Sequence, residues 1–404
     1  MASMSLKKYS PTYYLLCVIA FLMMLSTQIT NPLLPLFAKQ IGATGVLIGY
    51  AVAGYWVSRV ILEIPSGFIS ARFGYFKPLL AGVLLTLIGN LLAVNVDSPF
   101  YLVVVRAIMG LGAPLFFAIS MTFIINLFDS QTRGSAMGLF QGIEFIGMVI
   151  GSGMSGYVIE QLGFRGGFML SSALALIALV LIAVPPQIRR DTREQVAITA
   201  LKLSDIPEVI ANRTLLLMAA ITLAEFVMSS GLIYTIFPLY AEESLMIQEA
   251  RIGYLMGARS IGFVVAMFTM GNLADRMGRR PILTFGIIST AILILVLSFV
   301  TAYFAMALII CLIGFTSGAI WIVGPVISAE AVKPDQRGAA IGTYRTFFDL
   351  GSVFGPIIMT AIYANYGVNY CFYLASGLLL LSMPLALLIR ENRAVESQLT
   401  AGIK

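Results

Sequence analysis

Long apolar segments follow one another along almost the whole chain, and short charged segments separate them. Most are about 20 residues or longer, which is the length of a helix that crosses a bilayer. Their continuous apolarity favours helices, because the strands of a membrane barrel alternate between apolar and polar residues. The pattern therefore predicts an all-α membrane protein with twelve spans, numbered here in chain order: 13–38, 45–70, 77–95, 99–127, 135–160, 164–185, 213–240, 250–274, 281–300, 303–329, 338–364 and 367–389.

Composition agrees with a lipid environment, since 59% of the 404 residues are hydrophobic and 11% are charged. The chain has no histidine, which removes the usual metal ligand and every His-dependent catalytic triad. Its three cysteines, Cys17, Cys311 and Cys371, fall inside spans and lack ligand spacing. We therefore expect no metal, no cofactor and no enzymatic activity.

The net charge of +6 is distributed over the connections between spans, so nucleic-acid binding is not expected. If the N-terminus is cytoplasmic, the opposite connections hold only Lys39, Arg165 and Arg251. Because basic residues prefer the cytoplasmic side, both termini are expected there, in a cell membrane (plasma or bacterial/archaeal inner). The basic residues assigned to that side are Arg72, Lys77, Arg133, Arg189, Arg190, Arg193, Lys202, Arg213, Arg276, Arg279, Arg280, Lys333, Arg337, Arg390 and Arg393.

The two halves of the chain repeat with a constant offset of 204 residues. The matched sets are Gly67, Arg72 and Gly74 with Gly271, Arg276 and Gly278; Ile48, Gly49 and Tyr50 with Ile252, Gly253 and Tyr254; and Arg133, Gly134, Gly138, Gly147 and Gly151 with Arg337, Gly338, Gly342, Gly351 and Gly355. The sequence thus predicts two six-helix bundles, 1–186 and 213–404, and a cytoplasmic linker, 187–212. Within the linker, 196–210 is either an amphipathic segment on the membrane surface or a solvated connection.

One loop motif resembles that of the major facilitator superfamily, and the resemblance extends over essentially the whole chain. The motif is complete between spans 8 and 9, at Gly271, Asp275, Arg276, Gly278, Arg279 and Arg280. The first-half copy keeps Gly67, Arg72 and Gly74 but has Ala71 in the acidic position. The resemblance implies a transporter that works by alternating access. It also implies that Asp275 holds a cytoplasmic gate against the positive end of span 5.

Two further motifs are similar to patterns of that family. Arg106 in span 4 resembles a buried arginine that is linked to proton coupling. Gly138, Gly147 and Gly151 in span 5 resemble the antiporter motif, with serine where proline is usual, and this favours efflux. A purely packing role for these glycines is an open alternative.

Ionisable residues inside spans need a partner, a wet cavity or a function. Depth along the helices brings Arg59 level with Asp349, and Glu63 level with Arg345. The resemblance to the family implies that spans 2 and 11 adjoin across the interface between the halves, so crossed ion pairs between them are predicted as conformational latches. The alternative is pairing within each helix, since each arginine and the acid beside it are four residues apart.

Glu144, Glu225 and Arg259 are further ionisable residues inside the predicted spans. Glu144 is predicted to reach Arg259 if span 5 meets span 8. Glu225 has no basic residue at its depth in its own span, which favours reversible protonation and makes it the first candidate proton carrier. A neutral, hydrogen-bonded carboxyl with no transport role is the alternative. Glu144, Asp349, Glu63 and Arg106 are the other proton-coupling candidates.

In the family that the chain resembles, spans 1, 4, 7 and 10 line a central cavity. Gln28 and Asn31 lie at the depth of Arg106 and are expected to satisfy it. Aromatic side chains in these spans suit an apolar solute, and only some of them are expected to face the cavity. The aromatic candidates are Phe116, Phe117, Phe226, Tyr234 and Trp321.

The sequence therefore predicts a monomeric, proton-coupled exporter of hydrophobic or amphipathic small molecules, with membrane lipid, protons and solute as its partners. The first alternative is uptake or exchange of a small organic anion attracted by Arg106 or Arg259. The second is a membrane receptor or scaffold that transports nothing.

Overall fold

The computed structural model describes residues 10–128, 132–194, 209, 211–333 and 336–389. Within these ranges eleven helices are long and apolar enough to cross a membrane. They are Pro11–Gln40, Val46–Phe73, Phe76–Ala93, Pro99–Leu127, Arg133–Ala183, Arg213–Glu243, Glu249–Met277, Arg279–Leu297, Tyr303–Glu330, Arg337–Tyr366 and Val368–Leu388.

The helix Arg133–Ala183 is two spans rather than one. Gly163 interrupts it with a φ of 67°, so its arms are spans 5 and 6 and the twelve predicted crossings are present. A short linker helix, Pro186–Glu194, follows and was not predicted. The predicted amphipathic segment 196–210 lies outside the described residues apart from Val209, as do Lys202, Arg390 and Arg393.

The repeated glycines close equivalent connections in the two halves. Spans 2 and 8 end at Gly74 and Gly278, with φ of 74° and 97°. The breaks after spans 5 and 11 fall at Gly163 and Gly367, which are also 204 residues apart and have φ of 67° and 89°. Residues other than glycine rarely adopt these positive φ angles, which explains why the repeat keeps glycine at these turns.

The apolar core is shared between the halves at one end of the bundle and divided at the other. We call the end near Pro11 and Leu388 the termini end. Toward the opposite end a single core joins residues of spans 1, 2, 7 and 8, with Phe37, Val52 and Leu232 among them. At the termini end the first half has a core of its own, whereas the second half is filled there by a continuation of the shared core.

Close backbone approaches between the halves also lie toward the opposite end. A methyl group on Gly156 of span 5 would lie 2.3 Å from the carbonyl oxygen of Ala250 in span 8. One on Gly49 of span 2 would lie 2.6 Å from the carbonyl oxygen of Pro356 in span 11. Toward the termini end a methyl group would meet open space at Gly67, Gly138, Gly271 and Gly342. The bundle is therefore closed at the opposite end and spread at the termini end.

Candidate functional site

Two ion pairs join spans 2 and 11 near the middle of the bundle. Arg59 Nε lies 3.2 Å from Asp349 Oδ1, and Arg345 Nε lies 2.7 Å from Glu63 Oε1. This is the crossed arrangement expected from helix depth. Arg59 also lies 3.7 Å from Glu63 in its own helix, so the network links both pairs. Asp349 is wholly buried, and neither of its oxygens accepts a hydrogen bond of good geometry from the described residues.

An aromatic cluster surrounds the Arg59 end of this network. The Arg59 guanidinium carbon lies 5.2 Å from the Trp56 ring centroid and 5.1 Å from that of Phe348. Phe348 in turn contacts Phe226 and Trp321, with centroid distances of 3.8 and 5.1 Å. Spans 2, 7, 10 and 11 thus share one cluster. Trp56 and Phe348 were missed from the sequence, although each lies close to a predicted charged residue.

The repeat-related seam between spans 5 and 8 has an aromatic pair where the seam between spans 2 and 11 has the ion pair of Arg59 and Asp349. Phe263 and Phe145 occupy the positions of Arg59 and Asp349 in the other half of the repeat, 204 residues away. Their ring centroids are 5.5 Å apart. Equivalent positions therefore hold an ion pair at one seam and an aromatic pair at the other.

Two further buried charged residues, Glu225 of span 7 and Arg259 of span 8, lie in the second half near the aromatic cluster. Glu225 is 3% exposed, and its Oε2 has no hydrogen-bond partner among the described residues. Arg259 donates to Tyr234 Oη and to Ser229 Oγ, both at 2.7 Å, and its guanidinium carbon lies 4.6 Å from the Tyr234 ring centroid. Arg259 is thus held by neutral groups. Glu225 directly precedes Phe226 of the cluster.

The predicted pair between Glu144 and Arg259 is not formed in this conformation, in which Arg259 is bonded to Tyr234 and Ser229. Spans 5 and 8 do meet, but a methyl group on Gly257 would lie 2.8 Å from Cα of Gly153, which fixes the antiparallel register. That register sets Arg259 opposite position 151, about seven residues or roughly 10 Å along the axis from Glu144. Depth measured from predicted helix ends did not resolve this offset.

Arg106 is bonded to Asn31, as the sequence suggested, but its Nε and Nη1 have no hydrogen-bond partner among the described residues. It is 1% exposed and donates from Nη2 to Asn31 Oδ1 at 2.9 Å. Asn31 Nδ2 donates to Gln28 Oε1 at 3.3 Å. The Tyr55 ring, 4.9 Å from the guanidinium carbon, covers the arginine and was not predicted.

Phe116 does not line a cavity, which corrects the sequence interpretation. Its side chain has no exposed surface and belongs to the core of the first half. The turn Pro114–Ala118 is π-helical, and such a turn changes the direction of the side chains relative to a regular helix. The remaining aromatic candidates are partly exposed, as a cavity wall requires: Phe117, Phe226, Tyr234 and Trp321.

Two glycines of the span 5 motif pack against span 1. A methyl group added to Gly147 would lie 2.6 Å from the carbonyl oxygen of Phe21, and one added to Gly151 would lie 3.0 Å from the carbonyl oxygen of Leu25. At Gly138 it would meet open space. The packing role therefore fits the first two glycines in this conformation.

The acidic residue of the loop between spans 8 and 9, Asp275, is exposed in this structure. Arg276 is exposed too, as is Arg72 in the first-half copy. Arg279 forms an ion pair with Glu330 at the end of span 10, within the same half. The gate contact of Asp275 remains a prediction for a state closed at the termini end.

An ionic cluster closes the opposite end. Lys39 Nζ of span 1 lies 2.7 Å from Glu242 Oε2 and 2.9 Å from Glu243 Oε1 of span 7. Tyr363 of span 11 donates to Glu243. This cluster joins the two halves and was not predicted.

A family model described as Major Facilitator Superfamily matches residues 16–244 and 220–403, which together cover nearly the whole chain. The chain belongs to this superfamily. It is therefore a multi-pass membrane transporter and not an enzyme, as the loop motif suggested.

Curated relatives and solved structures resemble the chain over nearly its full length. It is 24% identical to Multidrug resistance protein 2 of Bacillus subtilis (96% of this chain, 98% of the relative). It is 21% identical to Quinolone resistance protein NorA of Staphylococcus aureus (93% and 95%). The fold resembles that of the nucleoside transporter NupG (TM-score 0.75) and of the human organic anion transporter MFSD10 (TM-score 0.69). Each of these structures is 16% identical, with 94% of this chain and 100% of the other covered.

Proposed function

We propose that this transporter is a proton-coupled exporter of hydrophobic or amphipathic small molecules that works by alternating access. The names of the bacterial relatives, which refer to multidrug and quinolone resistance, support this substrate class. The partly exposed aromatic side chains of Phe226 and Trp321 offer an apolar contact surface between the halves.

The observation that carries the proposal is the position of Glu225. Its carboxyl is buried, lacks a hydrogen-bond partner at Oε2 and lies next in sequence to the aromatic cluster. Burial in a low-dielectric environment favours the neutral form of a carboxyl, so a proton taken up there is held until the site is rehydrated. A solute in contact with Phe226 lies close enough to influence that exchange.

Alternating access gives the exchange its direction. With the termini in the cytoplasm, the described conformation faces inward, because the halves are joined outside by Lys39 with Glu242 and Glu243. Substrate enters from the cytoplasm as Glu225 releases its proton inward. In the outward-facing state a proton from outside neutralises Glu225 as the substrate leaves, and the halves rock back.

Flux in proteoliposomes with an imposed pH gradient tests the proposal. A fluorescent lipophilic cation serves as solute, Glu225→Gln as the test variant and Glu160→Gln, at an exposed carboxyl, as the matched control. We expect Glu225→Gln to abolish gradient-driven flux while retaining binding, and Glu160→Gln to behave as wild type. Unchanged coupling in Glu225→Gln would remove this carboxyl from the mechanism.

Arg259 favours a second candidate, the transport of a small organic anion. It is 6% exposed and pairs with no carboxylate in the part of the chain that the structure describes. A buried cation held only by Tyr234 and Ser229 is suited to receive a substrate carboxylate. Competition distinguishes the candidates: an aromatic carboxylate that displaces the lipophilic cation, and loses this ability in Arg259→Gln, supports the anion.

A further inference from the structure

The linker helix is docked on the first half. Ile188 is fully buried in the core of that half, and Thr192 is 1% exposed. Thr12, at the start of span 1, donates to Asp191 Oδ2 at 2.5 Å. Apolar and polar contacts thus fix the helix against the termini end.

A cavity of about 260 Å³ separates this helix from the turn between spans 2 and 3. Lys77 and Arg189, both exposed, supply positive charge from opposite walls, and the Arg189 guanidinium carbon lies 5.9 Å from the Phe76 ring centroid. The neighbouring carboxylate of Asp191 is engaged by the Thr12 hydroxyl. The lining residues are Phe73, Gly74, Phe76, Lys77, Arg189 and Thr192.

The cavity lies at the level of lipid headgroups. Span 2 ends at Phe73 and span 3 begins at Phe76, so the cavity is located where the helices leave the apolar zone. Phe73 is 53% exposed, and Val184 at the end of span 6 is 70% exposed. The site therefore offers positive charge beside apolar surface, which suits an amphipathic anion better than a small soluble one.

We propose that this cavity binds the phosphate headgroup of an anionic phospholipid. Lys77 and Arg189 contact the phosphate from its two walls, and the exposed ring of Phe73 packs against the first carbons of an acyl chain. The bound lipid holds the linker helix on the first half, so the lipid composition of the leaflet affects the stability of this region.

Thermal unfolding of the full-length protein in detergent tests the site. The midpoint is followed during titration with short-chain phosphatidylglycerol, with phosphatidylcholine, glycerol phosphate and inorganic phosphate as separate arms. The test variant is Lys77→Gln/Arg189→Gln. Arg190→Gln/Arg213→Gln removes two exposed charges outside the cavity and is the matched control.

We expect a saturable rise of the midpoint with phosphatidylglycerol in the wild type and in the control. Loss of two cations near the membrane surface should weaken the apparent affinity on the order of thirtyfold in the test variant. Native mass spectrometry should show phosphatidylglycerol retained by the wild type and lost from the test variant.

Three results would overturn the proposal. An equal loss in both double variants would mean that only overall charge matters. A saturable response to inorganic phosphate or glycerol phosphate equal to that of the lipid would make this a soluble-anion site. The absence of any phosphatidylglycerol response, together with no retained lipid, would mean that no lipid binds here.

Discussion

Gly156→Ala should shift the transporter away from the described conformation. The added methyl group would lie 2.3 Å from the carbonyl oxygen and 2.6 Å from Cα of Ala250. Both are backbone atoms, so no side-chain rotation relieves the overlap. Spans 5 and 8 must separate at the end that is now closed.

The size of the shift follows from the cost of overpacking. One extra methyl group in a tight contact costs roughly 1–3 kcal/mol. If that cost falls on the closed arrangement alone, the ratio of closed to open at this end drops by about 5- to 150-fold. Gly138→Ala on the same helix meets open space and gains the same helix propensity of up to about 1 kcal/mol, so it isolates the steric effect.

Distances between spin labels measure the outcome. Cysteines at Asp97 and Met246, which are exposed on the two halves at the opposite end, carry the labels. The Gly156→Ala distribution should gain a longer distance, whereas Gly138→Ala should match the unsubstituted protein. Identical distributions in the two variants would refute the inference that this glycine contact holds the end closed.

Three further outcomes are expected. Asp349→Asn removes the carboxylate that pairs with the Arg59 guanidinium and should lower the unfolding midpoint in detergent, because breaking a buried ion pair costs about 3–5 kcal/mol. An unchanged midpoint would contradict a stabilising ion pair between Arg59 and Asp349. Lys39→Glu should increase the labelling of cysteines introduced at the opposite end, and adding Glu242→Lys should reverse the increase. The effect should be small, because exposed ion pairs contribute only about 0.2–1 kcal/mol each. If the charge swap does not restore protection, the ion pairs of Lys39 do not hold this end closed. Trp321→Ala should weaken binding of an aromatic lipophile in a fluorescence titration, whereas Phe116→Ala should lower only the unfolding midpoint; equal binding losses would return Phe116 to the cavity wall.

The spans and the crossed ion pairs were predictable for a physical reason. Apolar length determines where a chain crosses lipid, and charges inside a span are few enough that depth alone matches Arg59 with Asp349. The resemblance to the family then indicated that spans 2 and 11 are neighbours. These features depend on counting along one helix at a time.

Contacts that depend on helix register or helix twist were not predictable in the same way. The Gly153–Gly257 approach sets the position of Arg259, and one π-helical turn removes Phe116 from the cavity. Trp56 and Phe348 were missed because aromatic residues are frequent in membrane helices and their sequence positions do not distinguish packing from clustering. Such details require the facing helix to be known.

The unlike chemistry of the two repeat-related seams has a consequence for how they tolerate substitution. At Phe145 and Phe263 any apolar residue of similar volume preserves the contact, so these positions are free to drift separately. At Arg59 and Asp349 a change on one side strands a charge on the other, so viable replacements must come in pairs. In a library of functional variants, Phe145 and Phe263 should therefore vary independently of each other, whereas Arg59 and Asp349 should covary strictly.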